Sequence, residues 1–157
     1  MPLEIEVADP RWKRVPKLGE QIIAAYQASL TKKDLAKITV LLLADDATLK
    51  ALNRGWRGIN KPTNVLSFPA AEAHVPRGTP RPMGDVALSY DTCAKEAKAA
   101  AKSLRDHAVH LVVHGLLHLC GHDHVDEAEA HAMEAKEIRI LAKLGIANPY
   151  VLNAGHD

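Results

Sequence analysis

Three histidines in the C-terminal third of the chain have the spacing of metal ligands. His114 and His118 are four residues apart on a predicted helix (residues 107–121), so their imidazoles project from one face, one turn apart. Gly121 can end that helix in a left-handed conformation, which lets the chain fold back and bring His124 to the pair. Three neutral imidazoles leave the fourth position of a tetrahedral Zn²⁺ open, as in catalytic sites. The pattern H-x-x-x-H-x-x-G-x-x-H therefore predicts one zinc ion per chain, bound by His114, His118 and His124.

This spacing resembles the zinc signature of the metzincin proteases, H-E-x-x-H-x-x-G-x-x-H. Those enzymes use the glutamate after the first histidine as general base, whereas this chain has Gly115 at that position. Glycine has no group that can accept a proton from an attacking water. The ligand pattern without the base argues against a metallohydrolase that acts on peptides, and it leaves the general base unassigned. Three histidines would also accept another divalent ion such as Ni²⁺.

Several neighbouring side chains have more than one possible role. Cys120 and His122 could also coordinate the metal, although an extended turn would point His122 away from the third ligand. Asp123 would either orient a ligand imidazole through a hydrogen bond or cap a turn. His107 and His110 continue the helical stripe, and we expect them to be structural or to support the ligands from behind.

Arg57 is the basic residue whose surroundings favour a catalytic role. It lies in the stretch GWRG (residues 55–58), which predicts a loop after a helix that ends near residue 54. A guanidinium on such a loop would hold a phosphate bidentately and neutralise the charge that develops during phosphoryl transfer. Three further cations would either add phosphate contacts or remain solvated surface charges, and the second role is favoured: Lys61, Arg77 and Arg81.

The elements that must position these residues alternate first, and helices then gather towards the C-terminus. Apolar runs and alternation predict strands at 3–8, 38–44, 64–68 and 84–90. Helical spacing and capping residues predict helices at about 17–30, 45–54, 91–104, 107–121 and 126–144. The proline-rich stretch 69–83 predicts a long loop. This order favours the α+β class, with a mixed sheet of about four strands covered by helices and the metal site at the end of a C-terminal helix.

Composition narrows the class of protein. The chain has 157 residues, of which 47% are hydrophobic and 25% charged, and this predicts one globular domain over residues 1–157. No apolar run reaches the roughly 18 residues of a membrane span. The N-terminus lacks the basic-then-apolar layout of a signal peptide. Two cysteines cannot make a disulfide framework, so we expect a cytoplasmic protein without a membrane partner.

Charge is distributed unevenly along the chain. Residues 1–107 contain 17 Lys+Arg and 12 Asp+Glu, a balance of +5, whereas residues 108–157 contain 3 and 7, a balance of −4. This asymmetry fits either an anionic substrate beside a cation site or scattered solvated charge. Aromatic residues make up 4% of the chain, which does not favour base-stacking platforms.

The string HGLLHLCGHDH (residues 114–124) resembles the signature of the YbeY family of metal-dependent endoribonucleases, H-G-x-L-H-L-x-G-[aromatic]-D-H. Two more segments are similar to family blocks: LNRGWRGINKPTNVLSFP (52–69) and GDVALS (84–89). The resemblance covers nearly the whole chain and implies an α+β sandwich with the metal in a cleft. His122 departs from the pattern, because the family usually has Tyr there, and its role stays open.

The resemblance also implies roles for individual residues and for the protein. His114, His118 and His124 match the zinc ligands, and Arg57 matches the arginine that the family needs for RNA cleavage. The implied function is single-strand-specific endoribonuclease activity in the maturation of the 3′ end of small-subunit ribosomal RNA and in ribosome quality control. Ribosomal RNA and ribosomal or ribosome-associated proteins would be the partners. The alternative is a non-catalytic ribosome-assembly factor with a structural zinc.

Overall fold

The computed structural model describes residues 2–70, 78–122 and 126–151, which form one mixed sheet and the helices around it. The strands are β1 (Leu3–Val7), β2 (Ile38–Ala44), β3 (Val65–Pro69) and β4 (Pro82–Ser89). A 3-10 helix at Pro10–Arg14 precedes the helices α1 (Leu18–Ser29), α2 (Lys32–Leu35), α3 (Asp46–Arg57), α4 (Tyr90–Ala99), α5 (Leu104–Leu119) and α6 (Glu127–Lys143). The mixed four-stranded sheet that the sequence predicts is confirmed.

The sheet has the strand order β1-β2-β4-β3. Strands β1, β2 and β4 are parallel, and β3 pairs with β4 in the antiparallel direction. The continuous apolar sequence ITVLLLA makes β2 an interior strand, because both faces of an interior strand need apolar cover. Because β3 is last in the strand order, it is an edge strand, and its outer side borders the candidate site.

Side chains alternate between two cores on the two faces of the sheet. In β2, Leu41 and Leu43 belong to the larger core, under α1, α5 and α6. Ala44 belongs to a smaller core on the other face, where Leu49 of α3 packs. Helix α3 thus lies on the face of the sheet opposite to α5.

Helix α5 is apolar around most of its circumference, which is typical of a helix enclosed by other elements. It contacts α1, α4, α6 and the strands β3 and β4. Its N-terminus is capped by Ser103, whose Oγ accepts a hydrogen bond from the backbone N–H of Asp106 at 3.1 Å. The less buried stripe of this helix consists of His107, His110, His114 and His118. Every helix in the described part of the chain is too short or too polar to cross a membrane.

Several element boundaries differ from the sequence-based prediction. Helix α3 continues to Arg57, because Gly58 ends it in a left-handed conformation (φ 69°) and donates its N–H to the Arg54 carbonyl. Helix α4 ends at Ala99 instead of near residue 104, since Ala101 adopts a positive φ of 54° and Ser103 starts the next helix. Strand β4 begins at Pro82 and β3 ends at Pro69, which shortens the predicted loop; residues 71–77 of it lie outside the described ranges.

Candidate metal centre

The C-terminal half of α5 and the edge strand β3 form two walls of a cleft of about 570 Å³. His114, His118 and His122 line one side of this cleft, and Arg57 lies at the end of α3 on its border. Arg57 is 57 residues before His114 in the sequence, so the fold alone brings the cation to the histidines. The cleft therefore combines Arg57, for which the sequence predicts phosphate binding, with two of the three predicted metal ligands, His114 and His118.

The geometry of His114 and His118 fits a shared metal ion. Their Nε2 atoms are 3.1 Å apart. Two nitrogens bound at about 2.0–2.1 Å to a tetrahedral zinc ion would be about 3.3 Å apart. Among the described residues no group of three or more metal-ligating side chains is assembled, and the predicted third ligand, His124, lies outside these residues. The donor chemistry and spacing of the pair fit zinc, and the third ligand stays a prediction.

A buried carboxylate fixes the orientation of His114. Glu137 of α6 is 0% exposed, and its Oε1 is 3.0 Å from His114 Nδ1. Because the ionised carboxylate is an acceptor, His114 donates from Nδ1, and its Nε2 then carries the lone pair that a metal requires. Hydrogen bonding to the rear nitrogen of a ligating histidine is the usual means of holding the ring in place.

Two more groups stabilise the Glu137 carboxylate. His110 Nε2 donates to Oε1 at 3.1 Å, and the Tyr150 hydroxyl donates to Oε2 at 2.7 Å. Burial by itself would raise the pKa of Glu137, but the hydrogen bonds from His110, His114 and Tyr150 outweigh it and lower the pKa to about 2. The carboxylate is therefore ionised at neutral pH and remains an acceptor for His114.

Sequence reasoning missed Glu137 and assigned a possible orienting role to Asp123, which lies outside the described residues. A signal was present in the sequence. Glu137 lies on the buried face of α6, in register with Met133, Ile140 and Leu141. An acidic residue on the apolar face of a helix needs polar partners in the interior, and His114 is one of them.

Helix α5 lies unusually close to the sheet at Gly115. A Cβ atom at this position would be 2.7 Å from Val86 Cγ1 and 3.1 Å from Ser67 Oγ. Ser67 also donates a hydrogen bond to the Gly115 carbonyl at 3.1 Å, which ties β3 to the turn of α5 that carries His114. The close approach explains glycine at this position by packing, independently of any catalytic role.

A second polar network holds the start of β3. Asn64 donates from Nδ2 to Glu96 Oε1 at 3.0 Å, and its Oδ1 accepts from the backbone N–H of Val65 at 2.7 Å. His107 Nε2 is 2.9 Å from the same Glu96 oxygen. This network joins β3, α4 and α5, so the strand that walls the cleft has a fixed position relative to the histidines. His107 thus has the structural role that the sequence indicates.

Arg57 is the last residue of α3 and not part of a loop as predicted. The buried Asn53 explains the extra turn, because its Nδ2 donates to the Lys61 carbonyl at 2.9 Å and folds the following chain back along the helix. The side chain of Arg57 is exposed and borders the cleft.

The remaining candidate residues make other contacts, lie on the surface or fall outside the described residues. Cys120 Sγ lies 3.9 Å from Asp34 Oδ2, and burial together with the Asp34 charge raises the pKa of Cys120 to about 11. His122 lines the cleft, with its Nε2 3.0 Å from Lys136 Nζ. Of the three further cations, Lys61 and Arg81 are exposed, and Arg77 lies outside the described residues.

The sequence and fold have clear relatives. A family model described as Endoribonuclease YbeY matches residues 4–145. The curated Endoribonuclease YbeY of Ruegeria pomeroyi is 44% identical and aligns over 97% of this chain and 99% of its own length. The protein of the same name from Erythrobacter litoralis is 47% identical, over 96% and 98%. A solution structure of a Thermotoga maritima protein has the same fold, with a TM-score of 0.54 at 19% identity over 95% of this chain and 99% of that one. The resemblance inferred from the histidine signature is thereby confirmed, and the chain belongs to the YbeY endoribonuclease family.

Proposed function

We propose that this chain is a zinc-dependent, single-strand-specific endoribonuclease that matures the 3′ end of small-subunit ribosomal RNA and takes part in ribosome quality control. The observation that carries the proposal is the common cleft of His114, His118 and Arg57. The name of the curated relatives supports RNA as the substrate. The partners would be ribosomal RNA and ribosomal or ribosome-associated proteins, and the location the cytoplasm.

Zinc would be held by His114, His118 and His124, and when bound it would supply Lewis-acid chemistry at a phosphodiester. Glu137 keeps the proton of His114 on Nδ1, 3.0 Å away, and so presents Nε2 to the cleft. His110 and Tyr150 hold the Glu137 carboxylate in turn, which prevents it from rotating away. These residues position a ligand and do not touch the substrate.

Arg57 would bind the substrate phosphate at the border of the cleft. Its guanidinium can donate two parallel hydrogen bonds to phosphate oxygens and offset the charge that builds up on them. Because the residue is exposed at the end of a helix, it meets the substrate without first breaking an internal contact of the described residues. Arg57 is the catalytic residue of the proposal.

The test is cleavage of ribosomal RNA by purified Arg57→Glu protein. We expect its rate to fall by about 100-fold or more, as for other removed transition-state donors. Arg139→Glu is the matched control, because Arg139 is an exposed arginine on α6 that does not line the cleft, and its rate should stay near that of the wild type. Cleavage by Arg57→Glu at the wild-type rate would show that the assigned role is wrong.

Metal analysis of the wild type beside His114→Ala separates the enzyme from the assembly factor. The proposal requires zinc in the wild type, loss of zinc in the variant and loss of cleavage with it. A wild-type protein that binds ribosomal RNA but cuts nothing, with or without zinc, would support the assembly factor with a structural zinc. Mapping the ribosomal RNA 3′ ends in cells that lack the protein tests the assigned processing step.

A further inference from the structure

Trp56 is a large apolar side chain on the surface, whereas the other tryptophan of the chain is buried in the core. Its exposed fraction is 71%, whereas Trp12 is 2% exposed in the larger core. It is the most exposed of the large hydrophobic residues in the described ranges. Tyr150, another of these, is accounted for by its hydrogen bond to Glu137. No hydrogen bond within the described residues explains the exposure of the Trp56 indole, so its exposure suggests a role in binding.

The position of Trp56 connects it to the cleft. It directly precedes Arg57 at the end of α3, and its ring centroid is 5.3 Å from that of Phe68 on β3, at an interplanar angle of 43°. Both rings line a groove of about 420 Å³ on the α3 face of the sheet. Pro69 lines this groove and also the cleft that contains His114, so the two depressions meet at the end of β3.

The charge around the indole fits a nucleic acid. Between residues 47 and 70 the charged side chains are Lys50, Arg54, Arg57 and Lys61, and none is acidic. A cationic surface with an exposed aromatic ring is the usual platform for single-stranded nucleic acid, since the backbone meets the cations and a base stacks on the ring. Glu6 and Asp85 also line the groove, and their carboxylates disfavour a phosphate inside it. An uncharged base would not be repelled in this way.

We propose that Trp56, backed by Phe68, is a stacking site for an unpaired base of single-stranded RNA next to the phosphate held by Arg57. The inference rests on the proposed function, because it takes RNA as the substrate. It adds a binding site outside the metal cleft and a reason for preferring single strands, since a paired base presents no open face to the ring.

Tryptophan fluorescence tests this directly, because Trp12 and Trp56 are the two tryptophans of the chain and Trp12 is buried. The probe is a short, unstructured 2′-O-methyl oligoribonucleotide added to the full-length protein. We expect it to quench the wild-type fluorescence and to leave the fluorescence of Trp56→Phe, which comes from Trp12, unchanged. Affinity is measured separately by anisotropy of an end-labelled probe.

Trp56→Ala should weaken binding by about 5- to 150-fold, the range found when a stacking aromatic is removed, whereas Trp56→Phe should retain most of the affinity. Val7→Ala, which shortens an exposed apolar side chain on β1, is the control and should bind normally. Thermal unfolding of Trp56→Ala should match the wild type, because the side chain is mostly exposed.

The outcomes separate the inference from the proposed function. If the wild type neither binds nor cuts RNA, the proposed function fails and the inference fails with it. If the wild type binds the probe and Trp56→Ala binds equally well, the stacking site alone is overturned. Equal quenching by a fully paired duplex would also overturn it.

Discussion

The glycine that stands in the place of the protease base offers a sharp test of how α5 is packed. We consider Gly115→Ala, which adds one methyl group in the middle of the helix. An isolated helix would gain about 1 kcal/mol from this change, because alanine has the higher helix propensity. Here the new Cβ would be 2.7 Å from Val86 Cγ1 and 3.1 Å from Ser67 Oγ.

Val86 cannot yield easily, and Ser67 Oγ is held by its hydrogen bond to the Gly115 carbonyl. Val86 is 0% exposed in the interior strand β4, and its branched side chain has few alternative rotamers. Overpacking of this kind costs about 1–3 kcal/mol. Set against the propensity gain, the free energy of unfolding should fall by up to about 2 kcal/mol, and α5 should move away from the sheet. His114 is the adjacent residue, so metal affinity should fall as well.

Gly55→Ala is the matched control, because Gly55 also lies inside a helix and its added Cβ would have no atom within 4 Å. This variant should be more stable than the wild type by about 0.5–1 kcal/mol. The two alanine variants should therefore differ by about 1–3 kcal/mol, or roughly 2–12 °C in Tm for a chain of this size. Denaturant unfolding and a zinc-chelator competition measure the two effects.

The reasoning would be refuted if Gly115→Ala were as stable as Gly55→Ala and bound zinc as tightly as the wild type. Such a result would mean that α5 and the sheet leave room for a methyl group. It would also reopen the possibility of a functional side chain at position 115.

Two further predictions concern the polar networks behind the cleft. Glu137→Gln offers one acceptor oxygen to three donors, so zinc affinity should fall about 10- to 100-fold in a chelator competition. Tyr150→Phe keeps the contact to His114 and should lose less; unchanged affinity in Glu137→Gln would contradict the positioning role. Burial lowers the pKa of His107, despite its bond to Glu96, so the unfolded chain binds the proton more readily and stability should fall as the pH drops below about 6.5. Denaturant unfolding from about pH 7.5 to 5.5 should show a weaker pH dependence for His107→Gln than for the wild type, and the exposed His131→Gln should behave like the wild type; equal slopes for all three would refute the assignment.

The sequence predicted best the elements whose signals are local. The apolar run at residues 38–44 has the same first and last residues as strand β2. Helix α6 begins after the capping residue Asp126 and ends before Gly145, as expected. The predicted end of α3 near residue 54 was wrong, because Gly55 suggested a break in the helix. The contact that extends the helix joins Asn53 to the chain eight residues later, and hydrophobic periodicity carries no information on such a contact.

The same distinction holds for the site. The spacing of four residues predicted that His114 and His118 share a face of α5, and their Nε2 atoms are 3.1 Å apart. Glu137 comes from another helix, 23 residues away, and was visible in the sequence only as a misplaced charge on an apolar face. The scarcity of aromatic residues gave no hint of Trp56, since a composition describes how many rings a chain has and not which one is on the surface.

Helix α5, which forms one wall of the cleft, and the end of α3, which borders it, differ in how they can move. Helix α5 is enclosed by three helices and the sheet, so its amides should exchange with solvent mainly when the whole protein unfolds. The last turn of α3, with Trp56 and Arg57, is exposed and can open locally at far lower cost. The histidine pair thus belongs to the slowest-exchanging part of the fold, whereas the end of α3, with Arg57, can adjust to the shape of what it binds. Adjustment at the end of α3 would then leave the spacing of His114 and His118 undisturbed.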